Sequence, residues 1–196
     1  ISACLVGSEM CIRDSASFFV SRVDTLVDPL IEKKISTASN EAEKAQLKNL
    51  EGKAAISNAR IVYQDFKRIF NSPRFETLKK AGAHVQRPLW ASTSTKNPAF
   101  RDTLYAEELI GPDTVDTMPL ETIQKFADHG KVRTSIEDDI PGAQATLDAL
   151  EKIGIHYDQV TQQLLDEGVE KFSTSFHQLF AGIDKKKGAI EEQVTH

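Results

Sequence analysis

Three short runs of β-prone residues, each followed by a stretch of helical character, constrain the fold more than any other feature of the sequence. The runs cover residues 16–22, 86–93 and 113–117. Strands that alternate with helices in this way are typical of βα units, and βα units build a parallel sheet. Because three units cannot close a barrel and would leave exposed edges, the pattern also predicts that further strands belong to this fold.

Helices are predicted between and after these runs from apolar residues at helical spacing. One begins near Pro29, and one long amphipathic helix lies between Glu41 and Asn71. Another helix starts at residue 120, and the C-terminal region is helical over 142–153, 157–167 and 169–183. The residues predicted to face the core are Ala55, Ala59, Val62, Phe66 and Ile69 in the long helix, and Leu120, Ile123 and Phe126 in the helix after the third run.

The composition is acidic, with a formal net charge of −5 and a pI near 5.6. Binding to a nucleic-acid backbone needs a clustered cationic surface, so the charge argues against a nucleic-acid partner. No stretch reaches the roughly 20 apolar residues that cross a bilayer, and we expect a cytoplasmic protein without a membrane partner. The five histidines have no metal-ligand spacing, so no metal site is predicted.

The N-terminal segment does not resemble the rest of the chain. From Cys4 to Ser15 it reads CLVGSEMCIRDS, which resembles the translation of a sequencing-library transposon adapter. Residues 1–15 are therefore predicted to be an artefact and are left out of the fold prediction. The alternative is a native strand that uses Leu5, Val6 and Ile12.

Two segments of the sequence are specific enough to compare with known families, RPLWASTSTKNP at residues 87–98 and LIGPDTVDTMP at residues 109–119. Both closely resemble the longer bacterial type of transaldolase. SFFVSRVD at residues 17–24 is similar to the sixth-strand motif of that family, and residues 52–59 and 164–169 also resemble family segments in the expected order.

The resemblance covers about residues 16–185. It implies that the three strands are the sixth, seventh and eighth of a (β/α)8 TIM barrel, followed by a helical C-terminal region. Residues 16–196 are then the C-terminal portion of a transaldolase.

The resemblance implies that the parent protein transfers a dihydroxyacetone unit between two sugar phosphates, sedoheptulose 7-phosphate and glyceraldehyde 3-phosphate. This reaction belongs to the non-oxidative pentose phosphate pathway. The family forms a Schiff base on a fourth-strand lysine and uses no cofactor. Its acid/base carboxylates lie on the first and third strands. None of these residues has a counterpart here, so we expect no catalytic residue in this chain and no activity from the chain alone.

The resemblance assigns the substrate and phosphate contacts to five residues. Arg22 matches the family's phosphate-binding arginine, whose guanidinium suits phosphate oxygens. Ser17 and Phe19 match a hydroxyl that bonds substrate and a ring that shapes the pocket. Ser92 matches a family serine, and Lys96 stands near a position where the shorter transaldolases use arginine. We expect them near carboxyl ends of strands, where such barrels build their sites.

Simpler structural roles remain open for these residues. Arg22 is alternatively a surface residue that forms an ion pair with Asp24 or Asp28. Ser17 and Ser92 are alternatively strand residues whose hydroxyl groups bond to neighbouring backbone, and Phe19 is alternatively a core residue. Trp90 is predicted to pack rather than to hold substrate.

Other readings apply to Lys96 and to the chain as a whole. Lys96 is a poor candidate for the Schiff-base lysine, because it follows a polar run and such a lysine needs burial. Alternatives for the whole protein are another Schiff-base sugar-phosphate aldolase and a non-catalytic helical interaction module.

Overall fold

The structure, a computed structural model, describes residues 14–194. The chain divides into two compact units, one that runs to Tyr157 and one that begins at Asp158. Residues 1–13, which hold most of the adapter-like segment, lie outside the described residues.

Strands and helices alternate through the first unit, and one long helix occupies the C-terminal region. The strands are β1 (Ser15–Phe19), β2 (Arg87–Ala91) and β3 (Val115–Asp116). The helices are α1 (Val20–Thr37), α2 (Glu41–Lys48), α3 (Ala54–Phe70), α4 (Pro73–Lys80), α5 (Leu104–Glu108), α6 (Leu120–His129), α7 (Ile140–Lys152) and α8 (Tyr157–Val194).

The three strands form one parallel sheet in the order β1-β2-β3. Between β1 and β2, Ser15 pairs with Arg87 and Phe19 pairs with Ala91. Between β2 and β3, Leu89 pairs with Val115. Parallel strands need crossover connections, which the intervening helices supply. The prediction of an α/β fold with three parallel strands is confirmed, and the arrangement is consistent with a partial barrel.

The core of the first unit lies around α3, which packs against both α1 and α7. An apolar stripe at steps of three and four residues turns one side of a helix toward its neighbours. The buried members of this stripe in α1 are Val20, Val23, Val27 and Ile31.

The first strand is shorter than predicted. It ends at Phe19, because the helical stripe of α1 already begins at Val20 and the N–H of Ser21 donates to the carbonyl oxygen of Ser92 (3.1 Å). Pro29 therefore lies inside α1 and does not start it. Its exposure lets water reach the carbonyl that loses a helical hydrogen bond.

The single long helix predicted before the second run is wrong, because a turn at Gly52 separates α2 from α3. Gly52 has a φ of +68°, in the left-handed region, and its N–H donates to Asp28 Oδ1 at 3.0 Å. The predicted apolar stripe is only partly buried. Ala55 and Ala59 are each 2% exposed, whereas Ile69 is 49% exposed.

The predicted inward face of α6 is also wrong for two residues. Leu120 is 71% exposed and Ile123 is 46% exposed, whereas Thr122 is buried. Periodicity identifies an apolar face, but burial needs a second surface to cover it. No part of the described chain covers this face fully.

The two helices predicted after residue 157 form the single helix α8. Gly168 lies within it, although glycine costs about 1 kcal/mol relative to alanine inside a helix. Glu167 accepts from Gln163 Nε2 at 2.9 Å and from Lys171 Nζ at 2.8 Å. Side-chain pairs four residues apart therefore support the helix on both sides of the glycine.

Candidate functional site

The carboxyl ends of the three strands meet at one edge of the sheet, because the strands are parallel. We define the carboxyl edge as residues 19–25, 91–97 and 116–118, which end the strands and follow them. Ligands of open and closed α/β sheets bind outside this end of the strands. The chemistry of the carboxyl edge therefore decides what this part of the protein can bind.

The two faces of β1 differ in their surroundings. Ser17 and Phe19 share one face and are exposed, and the Phe19 side chain is 44% exposed. On the other face, the ring of Phe18 lies 5.7 Å from that of Trp90. Trp90 is buried, and its indole N–H donates to the carbonyl oxygen of Leu109 at 3.1 Å. The prediction that Trp90 packs is confirmed, and Phe19 does not belong to the core.

Arg22 lies in the first turn of α1 and is exposed. Its guanidinium carbon is 4.6 Å from the centre of the Phe19 ring, which is cation–π geometry. The guanidinium forms no ion pair with any residue described by the structure. Its charge is therefore available to an external anion.

The alternative in which Arg22 pairs with Asp24 or Asp28 is wrong. Both carboxylates face the interior instead, where Asp24 is 2% and Asp28 is 8% exposed. Asp24 accepts from the N–H of Ala55 and from the hydroxyl of Tyr105, each at 2.8 Å. These bonds join α1 to α3 and α5, and they hold the first turns of α1 in place.

Ser92 follows β2 with a φ of +56°, a conformation that non-glycine residues rarely adopt. Its carbonyl oxygen accepts from the N–H of Ser21 at 3.1 Å, and its Oγ lies 2.9 Å from Ser21 Oγ. Two hydrogen bonds therefore connect the segment after β1 to the segment after β2. The Ser92 hydroxyl bonds another side chain and not only the neighbouring backbone.

Lys96 is an exposed residue of the loop between β2 and α5. Its ammonium group donates to Ser94 Oγ at 2.7 Å and forms no ion pair within the described part of the chain. The exposed position does not provide the burial that a Schiff-base lysine needs. Lys96 lines a pocket of about 200 Å³ together with residues of α1 and α5, among them Asp28 and Tyr105.

The amino terminus of α1 adds positive potential at the carboxyl edge. Phe19 occupies the cap position, no side chain caps the helix, and no acidic residue lies in the first turn. Free amide groups and the helix dipole favour anions at this end of a helix. Arg22 and the start of α1 thus direct positive charge to the same place.

The network around Asp24 is the part of the site that the sequence did not predict. Burial raises the pKa of Asp24, and the hydrogen bonds from Ala55 and Tyr105 lower it in part. Burial and the nearby Asp24 charge together raise the pKa of the Tyr105 hydroxyl. The two partners of Asp24 lie 31 and 81 residues further along the chain, so no local spacing in the sequence reveals them.

Asp116 ends β3 and accepts from the hydroxyl of Thr93 at 2.8 Å. Burial raises the pKa of Asp116 to about 6, although the hydrogen bonds from Thr93 and Thr117 oppose this shift. The folded protein therefore retains a proton that the unfolded chain releases near pH 4. The Asp116 contribution to stability is largest below about pH 4 and declines as the pH rises to about 6.

Replacement Asp116→Asn is expected to raise the free energy of unfolding at pH 7.5 relative to the wild-type protein, by about 1 kcal/mol after solvent screening. The carboxamide oxygen still accepts from Thr93, but it carries no charge that burial disfavours. Urea unfolding at pH 7.5 and pH 4 measures the effect, and the difference from wild type should nearly vanish at pH 4. An equal difference at both pH values would contradict the shifted pKa.

Within residues 14–194, no group of three or more metal-ligating side chains is arranged to hold a metal ion. None of the helices described for this chain combines the length and apolar character needed to cross a membrane.

Comparison with known proteins identifies the family. The family model described as Transaldolase/Fructose-6-phosphate aldolase matches residues 3–183. The transaldolase of Acidothermus cellulolyticus is 50% identical over 171 residues, which cover 87% of this chain and 44% of that protein. The transaldolase of Mycolicibacterium smegmatis is 46% identical over 181 residues, 92% of this chain and 46% of that protein.

The transaldolase of Trichodesmium erythraeum is 45% identical over 177 residues, which cover 89% of this chain and 47% of that protein. The chain thus spans a little under half the length of these curated relatives. The family match includes all three strands and the carboxyl edge that they form. The chain therefore belongs to the transaldolase and fructose-6-phosphate aldolase family.

Proposed function

We propose that the full-length protein is a transaldolase that transfers a dihydroxyacetone unit between sugar phosphates, from sedoheptulose 7-phosphate to glyceraldehyde 3-phosphate, through a lysine Schiff base in the non-oxidative pentose phosphate pathway. The observation that carries the proposal is the pair of exposed cations at the carboxyl edge. Arg22 and Lys96 have no carboxylate partner among the described residues. A sugar phosphate supplies the anion that such cations attract.

The proposal places this chain as the C-terminal portion of the enzyme, with β1, β2 and β3 as the sixth, seventh and eighth barrel strands. The relatives' greater length supports the view that the chain is a portion of a longer protein, since it covers only 44% of the Acidothermus protein. Residues 1–15 are proposed to be adapter-derived. Sequencing the source DNA across the codon for Ala16, without a transposon-based library, tests both statements. A native coding sequence for residues 1–15 would contradict the second.

The five candidate residues are proposed to contact different parts of the substrate. Arg22 binds the phosphate through its guanidinium, and Lys96 contributes a second positive charge from the following loop. Ser17 and Phe19 line the exposed face of β1, where a hydroxyl and a ring contact the sugar. Ser92 offers its hydroxyl at the end of β2. None of these residues is proposed to be catalytic, and the reaction needs a lysine from the part of the barrel before β1.

Borohydride trapping in the full-length protein tests this division of labour. A ketose donor should form a Schiff base that borohydride reduces to a stable amine, which leaves a mass increase on one lysine. The modified lysine is expected before residue 16, and Lys96 is expected to stay unmodified. A trapped adduct on Lys96, or turnover by the 196-residue chain alone, would show that the catalytic residues are assigned wrongly.

A second candidate activity is aldol cleavage without an acceptor, since the matched family also includes fructose-6-phosphate aldolase. The two activities share the Schiff base and differ in what consumes the bound three-carbon unit. Incubation of the full-length protein with fructose 6-phosphate alone distinguishes them. Sustained release of free dihydroxyacetone would favour an aldolase, whereas turnover that requires an aldehyde acceptor supports a transaldolase.

The exposed cations also favour an anion site over a non-catalytic helical interaction module. The net charge of −5 argues against a nucleic-acid partner. Sugar phosphates are the proposed ligands because Arg22 and Lys96 supply local positive charge at the carboxyl edge. A cytoplasmic enzyme is proposed, because sugar phosphates of this kind are processed there.

A further inference from the structure

Ser21 occupies an unusual position at the carboxyl edge. It lies between Val20 and Arg22 at the start of α1, yet its own side chain is buried, with 1% exposed. Its Oγ is 2.9 Å from Ser92 Oγ, and its carbonyl oxygen accepts from the hydroxyl of Thr25 at 2.7 Å. A residue buried to this degree does not contact substrate itself, so any effect that it has on binding acts through a neighbour.

The hydrogen-bonding surroundings determine which serine donates. Ser92 Oγ is the only acceptor that the described residues offer to the Ser21 hydroxyl. A buried hydroxyl whose proton has no acceptor costs about 1–3 kcal/mol, so Ser21 donates to Ser92. Ser92 is only partly buried, and its own proton has no acceptor among the described residues. That proton is therefore free to point out of the protein.

We propose that Ser21 is a positioning residue for phosphate binding, because its hydroxyl donates to Ser92 Oγ and so commits the Ser92 proton to the bound anion. This inference rests on the proposed sugar-phosphate function. A hydroxyl that accepts a hydrogen bond becomes a better donor, and an anion increases that polarisation. The second bond, from the Ser21 N–H to the Ser92 carbonyl oxygen, holds Ser92 in its left-handed conformation while it donates.

A double-mutant cycle in the full-length protein tests the proposal with inorganic phosphate as the ligand. Titration calorimetry measures the phosphate dissociation constant for wild type, Ser21→Ala, Ser92→Ala and the double variant. Ser21→Ala is expected to weaken binding about 3-fold, because Ser92 keeps its proton but loses the donor that orients and polarises its hydroxyl. In the Ser92→Ala background the same replacement should have no further effect, because the group through which Ser21 acts is gone.

Two additional variants separate positioning from loss of structure. Ser135→Ala removes another buried serine, which donates to the carbonyl oxygen of Glu107 at 2.6 Å. It should lower stability without changing phosphate affinity. Ser21→Cys keeps the size of the side chain but donates weakly, so its affinity should fall between wild type and Ser21→Ala. If Ser21→Ala does not fold, the cycle is measured with Ser21→Cys.

The possible results are distinct. Equal losses from the Ser21 replacement in both backgrounds, or no loss in either, would overturn the proposal. A wild-type protein that binds no phosphate would overturn it as well. Failure of the proposed function would give a different result. The protein would then bind phosphate in an Arg22-dependent manner and yet transfer no three-carbon unit. The double-mutant cycle of Ser21 and Ser92 would still show whether the two serines are coupled in phosphate binding.

Discussion

Replacing Arg22 with methionine in the full-length enzyme is expected to raise the KM for sugar phosphates about 100-fold. A guanidinium donates two charge-assisted hydrogen bonds to a phosphate, each worth about 1.5 kcal/mol or more, and methionine keeps the length of the side chain without its charge. The phosphate lies away from the reacting carbon, so its contacts are equal in the ground and transition states. The loss should therefore appear mainly in KM and little in kcat.

Arg74→Met provides the matched control for this variant. Arg74 is an exposed arginine in α4, away from the carboxyl edge, so its replacement should leave the KM unchanged. Arg22→Lys should recover part of the affinity, because an ammonium keeps the charge but loses the forked geometry. Steady-state kinetics with varied donor concentration measures all three variants. A KM for Arg22→Met that equals the wild-type value would remove Arg22 from the phosphate site.

Replacing Gly52 with alanine should be the most destabilising of the substitutions considered. A Cβ built at Gly52 would lie 2.6 and 2.8 Å from carbons of the Phe100 ring, closer than real Cβ atoms approach. The left-handed φ of +68° adds a cost of about 1–2 kcal/mol for any side chain. Together with the steric overlap, the free energy of unfolding should fall by about 3 kcal/mol or more. Displacement of Gly52 would also weaken its hydrogen bond to Asp28.

Gly82→Ala separates the conformational cost from the steric one. Gly82 also has a left-handed φ, of +94°, but no atom lies within 4 Å of a Cβ built there. Urea unfolding should therefore show a loss of only about 1–2 kcal/mol for Gly82→Ala. If both variants lowered the free energy of unfolding by the same amount, the predicted steric overlap at Phe100 would be contradicted.

Local sequence signals predicted the three strands, whereas the roles of the residues at the carboxyl edge came from the family resemblance and remain predictions. The run RPLWA contains a buried proline and tryptophan next to polar residues, and it forms β2 as expected. Helix boundaries were predicted less well where a residue with two possible roles decided them. Pro29 can start a helix or lie inside one, and Gly168 can end a helix or continue it. Propensity alone does not choose between these outcomes.

Contacts between distant parts of the chain were beyond prediction from the sequence. Ser21 and Ser92 are 71 residues apart, and their hydroxyl groups meet only because β1 and β2 pair in one register. Ser21 looked like the end of a strand, so its burial could not be anticipated. The same holds for the left-handed backbone of Ser92, since serine has no strong preference for that conformation.

The position of Trp90 also gives this chain a built-in spectroscopic reporter. It is the only tryptophan in the 196 residues, so indole fluorescence of the chain, excited selectively at long wavelength, comes from one buried site in β2. Its emission should be blue-shifted while the indole is sheltered and bonded to Leu109, and it should move to the red when the sheet opens. Because the ring lies two residues before Ser92, an anion that reorganises the carboxyl edge acts close to the fluorophore, and binding and unfolding can be followed without a label.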